Sequence, residues 1–181
     1  HNNDLVYLDS ANSSQKPQVV IDRIYDFYSK EFSNVGRSVH YLAVAATNMY
    51  ESTRSSFQKY INAKDANEIV FTKGATEAIN LVANTFSQKY LKEGDEILLT
   101  ELEHHSNYVP WHYLRQNKGI KIEFADVNNE GEVTLKSIEK KITPKTKIIA
   151  VTHLSNVTGT IVPIKEIVEI ARKKNIPVLV D

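Results

Sequence analysis

The chain has 181 residues, a length that suits one domain or one and a half. Its 22 Lys and Arg residues balance its 22 Asp and Glu residues, so its charge predicts binding neither to nucleic acid nor to an anionic membrane surface. The lack of cysteine excludes disulfides, Cys-zinc sites and a thiol nucleophile from this polypeptide, and no apolar run reaches the roughly 18 residues that cross a bilayer.

The N-terminal third of the sequence has helical patterning. Pro17 can open a helix, and apolar residues recur at helical spacing as far as about Phe32. Residues 34–38 are typical of a loop, and a second amphipathic helix is predicted from about Leu42 to Tyr60. We therefore predict an N-terminal segment with helices over residues 1–66.

The pattern changes at residue 67, after which short apolar strands alternate with helices. Such alternation predicts crossover connections and a mostly parallel sheet with helices on both faces. The fold class predicted for residues 67–181 is therefore a three-layer α/β domain. The predicted elements are strands at 68–72, 96–100, 120–124, 147–152 and 178–180, and helices at 74–90, 108–117, 135–142 and 163–174.

The end of the sequence is unusual for a complete domain. Asp181 closes an apolar strand, and no turn, helix or polar tail follows it. Domain termini usually reach the surface in polar segments. This ending predicts that the chain is a truncated part of a longer domain.

Ligands of open α/β sheets bind beyond the carboxyl ends of the strands, so the residues that follow each strand are candidate site residues. After the first predicted strand, Gly74, Ala75 and Thr76 open a helix with small side chains and one hydroxyl. Unpaired backbone N–H groups at such a helix start can bind a phosphate. An ordinary helix start explains the same residues equally simply.

Further candidates follow the later strands. His104 and His105 could bind a metal together with Glu103, could stack on a planar ring, or could be ordinary surface residues. Asn156, taken with its neighbours alone, is typical of a turn. Asp181 stands at a strand end, a frequent position for a catalytic carboxylate in such sheets.

Several segments, spread in order over nearly the whole chain, carry a family resemblance. They are VYLD (6–9), QKP (15–17), NV (34–35), VH (39–40) with Leu42, FTKGATEAINLV (71–82), ELEHHSN (101–107) with VPW (109–111), and SNVTGT (155–160). Their order and spacing resemble the large domain of the class V aminotransferase family. These enzymes have PLP fold type I, and the resemblance is strongest to cysteine desulfurases of the SufS-like group.

The resemblance implies pyridoxal 5'-phosphate (PLP) as the cofactor of the full-length enzyme. The implied cofactor residues are Gly74, Ala75 and Thr76 at the phosphate, His104 against the pyridine ring, Asn156 at the ring hydroxyl and Asp181 at the protonated ring nitrogen. His104 would also move protons and is the candidate catalytic residue of this chain. His40 and Ala11 are the implied substrate-side residues, although residues 10–13 and 36–38 depart from the usual family pattern.

The implied reaction converts L-cysteine to L-alanine and leaves the sulfur as a persulfide on an enzyme cysteine. An acceptor protein of Fe–S cluster assembly would then receive the sulfur from a homodimeric enzyme in the cytoplasm, or in an organelle after removal of a transit peptide. The family's Schiff-base lysine and catalytic cysteine have no counterpart in these 181 residues. We therefore expect this chain alone to be inactive.

Three alternatives remain open from the sequence. A selenocysteine lyase or another class V PLP enzyme would share every implied cofactor residue. A non-catalytic truncated remnant would have weak PLP binding or none. A metal-dependent hydrolase would use His104, His105 and Glu103 as ligands.

Overall fold

The computed structural model describes residues 5–181, so the first four residues of the predicted N-terminal segment lie outside it. The chain divides into two compact units, of which the first ends at Phe71 and the second is Thr72–Asp181. The sequence placed its segment boundary slightly earlier, between residues 66 and 67. Within residues 5–181, no helix has the length and apolar character needed to span a membrane.

The first unit contains the two predicted helices. Helix α1 spans Gln18–Asp26, directly after Pro17, and continues as a π-helical turn at Phe27–Glu31. Helix α2 spans Tyr41–Tyr60, close to its predicted bounds. The π-helical turn is the part that the sequence pattern did not predict.

The strand predicted at 68–72 is wrong. Ala66–Glu68 form a 3₁₀ turn, and the residues that follow pair with no strand in the described part of the chain. The Phe71 ring instead packs edge-on against Tyr50 and Phe57, with centroid distances of 5.4 and 5.7 Å. A β-strand requires a hydrogen-bonded partner strand. The apolar sequence of residues 68–72 is therefore not sufficient to make this segment a strand.

The second unit alternates helices and strands as predicted. Its elements are α3 (Ala75–Tyr90), β1 (Glu96–Thr100), α4 (His105–Lys118), β2 (Lys121–Ala125), α5 (Leu135–Lys141), β3 (Thr146–Val151), α6 (Ile164–Lys173) and β4 (Val178–Val180). The four strands are parallel and lie in the order β2-β1-β3-β4. The α/β class and the parallel sheet are thereby confirmed.

Alternation along the strands creates two separate apolar layers, because successive side chains point to opposite faces of a sheet. On one face, Leu98 and Ile149 pack with Ile138 of α5 and Ile167 of α6. The other face holds Ile97, Leu99, Ile148 and Ala150, which pack with Ala83 of α3 and with Trp111 and Leu114 of α4. Because helices cover both faces, the sheet is the middle of three layers. Burial of each Leu or Ile side chain in these layers contributes about 1.5–3 kcal/mol to the free energy of unfolding.

Helices α3 and α4 lie side by side and run in the same direction. The Lys118 ammonium near the end of α4 donates to the backbone carbonyl of Ser87 near the end of α3. Ala83, about one turn before Ser87, and Pro110, about two turns before Lys118, line a common cleft. Helix α4 begins just after β1 ends, at the carboxyl edge of the sheet. Because α3 runs beside α4 in the same direction, α3 begins at that edge too.

Candidate functional site

The start of α3 presents open backbone donors. Gly74 is the N-cap residue and has no side chain to accept from the first turn, while Ala75 and Thr76 are exposed. The carboxylate in the first turn of this helix, that of Glu77, turns back to accept from the backbone N–H of Lys73 at 2.6 Å. The N–H groups of the first turn and the Thr76 hydroxyl therefore remain available to a ligand.

A phosphate group fits this donor set. Gly74 has φ 162° and ψ 179°, an extended conformation that any residue adopts, and no atom lies within 4 Å of the place where a Cβ would be. Neither the backbone nor the packing of this chain therefore requires glycine. Open space above N–H donors at the positive end of a helix favours a bound anion.

His104 lies where β1 passes into α4. It is the N-cap of α4, and its Nδ1 atom lies 3.2 Å from the backbone nitrogen of Ser106 and 2.8 Å from the Ser106 hydroxyl. Because a backbone N–H can only donate, Nδ1 accepts, and the neutral ring carries its proton on Nε2. This cap also explains why α4 begins at His105, earlier than predicted.

The metal hypothesis gains no ligand set from the structure. The rings of His104 and His105 stand edge to face, with centroids 6.0 Å apart. In the described part of the chain, no three His, Asp or Glu side chains group closely enough to hold an ion.

Asn156 lies in a tight loop that follows β3. Ser155 closes this loop: its backbone nitrogen donates to the carbonyl of Thr160 at 3.0 Å, and its own carbonyl accepts from Gly159 at 3.0 Å. The Asn156 side chain is exposed on the loop. It is thus both the turn residue that its neighbours indicate and a polar group available at the sheet edge.

Asp181 extends the pairing of β3 with β4 beyond Val180. Its backbone nitrogen donates to the carbonyl of Val151 at 2.9 Å, and its carbonyl oxygen accepts from the backbone nitrogen of His153 at 2.8 Å. These two bonds fix the Asp181 backbone at the carboxyl edge, beside the loop that carries Asn156.

Glu103 is the residue whose role the sequence analysis missed, because it was considered only as a metal ligand. Its Oε1 atom accepts from the Thr100 hydroxyl at 2.5 Å and from the backbone N–H of Thr152 at 3.1 Å. Its Oε2 atom accepts from the Asn107 amide at 2.7 Å. The carboxylate therefore joins β1, α4 and the residue after β3. Thr100 and Asn107 are near Glu103 in the sequence, but Thr152 is 49 positions away, so no local pattern indicates its contact with Glu103.

Burial raises the pKa of the Glu103 carboxyl above its ordinary value of 4.5, against the opposing effect of its hydrogen-bond donors. Between pH 4.5 and this raised pKa, the folded protein therefore retains a proton that the unfolded chain has already released. Glu103 should thus make the free energy of unfolding fall as pH rises from about 4.5 through the raised pKa. Urea unfolding of the wild type and of Glu103→Gln between pH 4 and 7 tests this. A difference between the two proteins that does not change with pH would contradict it.

The two implied substrate-side residues belong to the first unit. His40 is the N-cap of α2, and its Nδ1 atom accepts from the backbone N–H of Ala43 at 3.3 Å. Ala11 lies in an exposed turn in which the backbone nitrogens of Asn12 and Ser13 donate to Asp9. Their place beside a substrate stays a prediction.

The remaining candidates share the second unit. The parallel start of α3 and α4 brings residues 74–76 and His104 to the same edge of the sheet. The Glu103–Thr152 and His153–Asp181 hydrogen bonds join the segments after β1, β3 and β4. A helix start with open N–H donors, an imidazole, an amide and a carboxylate thus occupy one side of the sheet, and their roles toward a cofactor stay predictions.

Comparison with known proteins gives one consistent family. The family model described as aminotransferase class-V matches residues 6–181. A probable cysteine desulfurase of Halalkalibacterium halodurans is 46% identical over 177 residues, which are 98% of this chain and 44% of that protein. The chain therefore spans less than half the length of this curated relative.

Solved structures agree with that match. The apo structure of a cysteine desulfurase from Thermococcus onnurineus NA1 is 38% identical and superposes with a TM-score of 0.92, covering 99% of this chain and 44% of that one. A structure described as SspA in complex with cysteine is 27% identical, with a TM-score of 0.87, over 97% of this chain and 50% of that one.

Proposed function

Because the chain belongs to the aminotransferase class-V family, we propose that it forms the cofactor-binding part of a PLP-dependent cysteine desulfurase. The observation that carries the proposal is the open N-terminus of α3 at the same sheet edge as His104 and Asp181. The names and identities of the matched relatives support the choice of cysteine desulfurase within the family.

The residues of this chain would divide the work of binding and proton transfer. PLP, when bound, supplies an electron sink for a carbanion at the substrate. The Thr76 hydroxyl and the first N–H groups of α3 would bind its phosphate, and the Asp181 carboxylate would hold a proton on the ring nitrogen. The Asn156 amide would donate to the ring hydroxyl. His104 would cover the ring and move a proton at Nε2.

In the whole protein, L-cysteine would lose its sulfur to the thiolate of an enzyme cysteine, which becomes a persulfide, and L-alanine would be released. A solved relative in complex with cysteine supports this substrate class. The present chain contains no cysteine, so the nucleophile would come from outside these 181 residues. We infer that the chain alone does not turn over.

The finer features of the whole protein are proposed on the same resemblance: membership of the SufS-like group, a cytoplasmic location, delivery of sulfur to Fe–S assembly, and a homodimer. Large exposed apolar side chains on α1 support association, since Val19 is 73% and Tyr25 69% exposed. His40 and Ala11 are proposed to face the substrate.

The first experiment is the intact mass of the native polypeptide, with its coding sequence read beyond Asp181. The proposal expects a protein about twice this size. After reconstitution with PLP, that protein should release alanine from L-cysteine. The rate of alanine release from L-selenocysteine, measured alongside, distinguishes a cysteine desulfurase from a selenocysteine lyase. A native chain that ends near Asp181 would refute the enzyme assignment, as would a PLP-loaded protein that forms no alanine.

The phosphate contact can be tested separately. Thr76→Val keeps the side-chain shape and removes the hydroxyl, so the dissociation constant for PLP in the whole protein should rise about 10–100-fold, the usual range for a hydrogen bond to a charged group. Thr85→Val is the matched control on the same helix, because the Thr85 hydroxyl only donates within α3. Equal PLP affinity in the two variants would contradict the assignment of Thr76.

A further inference from the structure

We propose that Glu103 is a positioning residue, whose carboxylate ties the end of β1 to the start of the loop after β3 and so holds His104 in place relative to Asn156 and Asp181. This inference rests on the proposed function, because the purpose of the fixed separation is to receive PLP. The donors to the Glu103 carboxylate are Thr100, Asn107 and Thr152, and none of these three is assigned to the cofactor.

Three hydrogen-bond donors hold the Glu103 carboxylate in this position. Thr100, Asn107 and Thr152 approach Glu103 from the end of β1, from the first turn of α4 and from the residue after β3, at 2.5, 2.7 and 3.1 Å. His104 is the next residue after Glu103. A shift of the carboxylate therefore displaces the start of α4 and the imidazole with it.

Each donor is itself oriented by a further hydrogen bond. The Thr100 oxygen accepts from the backbone N–H of Leu102 at 3.2 Å, so its proton is directed to Glu103. The Asn107 carbonyl oxygen accepts from the indole N–H of Trp111 at 3.2 Å, which directs the amide NH₂ to Glu103. Asn107 and Trp111 are fully buried. If the Thr100 hydroxyl or the Asn107 amide were turned around, a buried donor would face another donor. The hydrogen bonds around Glu103 therefore have one arrangement.

A neutral amide cannot replace the carboxylate in this network. Both oxygens of Glu103 accept, whereas Gln has one carbonyl oxygen and one NH₂ group. In either orientation, the NH₂ group of Glu103→Gln faces a donor: Asn107 on one side, or Thr100 and the backbone N–H of Thr152 on the other. The variant should therefore loosen the tie while it keeps the size of the side chain.

Glu101→Gln is the matched control. Glu101 lies two residues earlier on the same turn, is exposed, and accepts from the backbone N–H of Val127 at 2.9 Å. It thus links β1 to the segment after β2, away from β3 and β4. The same substitution there changes charge equally and leaves the Glu103 network intact.

The test uses the whole protein and three readouts, none of which depends on turnover. In Glu103→Gln we expect the PLP dissociation constant to rise at least tenfold, the visible circular dichroism of bound PLP to change, and the Thr152 amide to exchange with solvent at least tenfold faster. Misplacing groups by about 1 Å costs as much as 10²-fold in rate. Glu101→Gln should match the wild type in all three measurements.

The outcomes separate this inference from the proposed function. A folded Glu103→Gln with wild-type PLP affinity and circular dichroism would overturn the inference alone. A wild-type whole protein that binds no PLP would overturn the proposed function, and this inference with it. If Glu103→Gln does not fold, Thr100→Val removes one donor only and should give smaller changes in the same direction. A folded Thr100→Val without such changes would also overturn it.

Discussion

Replacement of Asp181 with Asn is expected to lower the rate of alanine formation by the whole protein by about 10²–10³-fold, the usual cost of removing one preorganised electrostatic contact. The two backbone hydrogen bonds of residue 181 do not involve its side chain, so the variant should keep its place at the end of β4. What it loses is the negative charge that would hold a proton on the ring nitrogen of PLP. Steady-state kinetics of the PLP-loaded protein provide the measurement.

Asp126→Asn provides the control for Asp181. Asp126 follows β2, the strand at the other edge of the same sheet, and within residues 5–181 its carboxylate forms one ion pair, with Lys141 at 3.5 Å. The same change of charge at the same sheet edge should leave the rate within about twofold, since exposed ion pairs contribute little. Equal losses in both variants would show that general surface charge, and not the partner of the ring nitrogen, explains the effect.

Trp111→Ala should cause the largest loss of stability, about 3–5 kcal/mol in the free energy of unfolding. Trp111 is fully buried among α3, α4 and the sheet, and its indole N–H donates to Asn107. The substitution creates a cavity in this layer and leaves a buried amide oxygen without its donor. Urea unfolding followed by far-ultraviolet circular dichroism measures the change.

Two further variants separate the contributions of Trp111. Trp111→Phe keeps most of the packing and removes the N–H, so its cost should be about 1–3 kcal/mol. Tyr113→Ala removes an aromatic ring two residues along the same helix, where the side chain is 61% exposed, and should cost under about 0.5 kcal/mol. A Trp111→Ala protein as stable as Tyr113→Ala would contradict the packing described for this layer.

The central elements of the fold were predictable because the apolar runs of the sequence coincide there with strands that are both buried and hydrogen-bonded to neighbouring strands. Leu98, Ile149 and their neighbours form short apolar runs bounded by turn residues, and the helices between them have clear apolar faces. The segment at 68–72 has the same apolar character and is not a strand. Strand formation depends on a partner, which a local pattern does not contain.

The candidate site was predictable in part for a related reason. His104 and Asp181 come after strands that the structure contains, so the topology alone places them at one edge. Gly74 was expected there as the end of a strand at 68–72, but it lies there because it begins α3. Glu103 was misjudged because its contact with Thr152 joins residues far apart in sequence. The π-helical turn at Phe27–Glu31 and the early start of α4 depend on local hydrogen bonds that periodicity does not report.

The burial of Trp111 gives the protein an optical reporter beneath its candidate site. It is the one tryptophan of the chain, and its ring lies in the layer between the sheet and helices α3 and α4. Its fluorescence should therefore be emitted at short wavelength, without contact with water. Because the indole is linked through Asn107 to Glu103, changes at the carboxyl edge should be visible in its intensity. Energy transfer to a bound chromophore would then report occupancy of the site without any turnover.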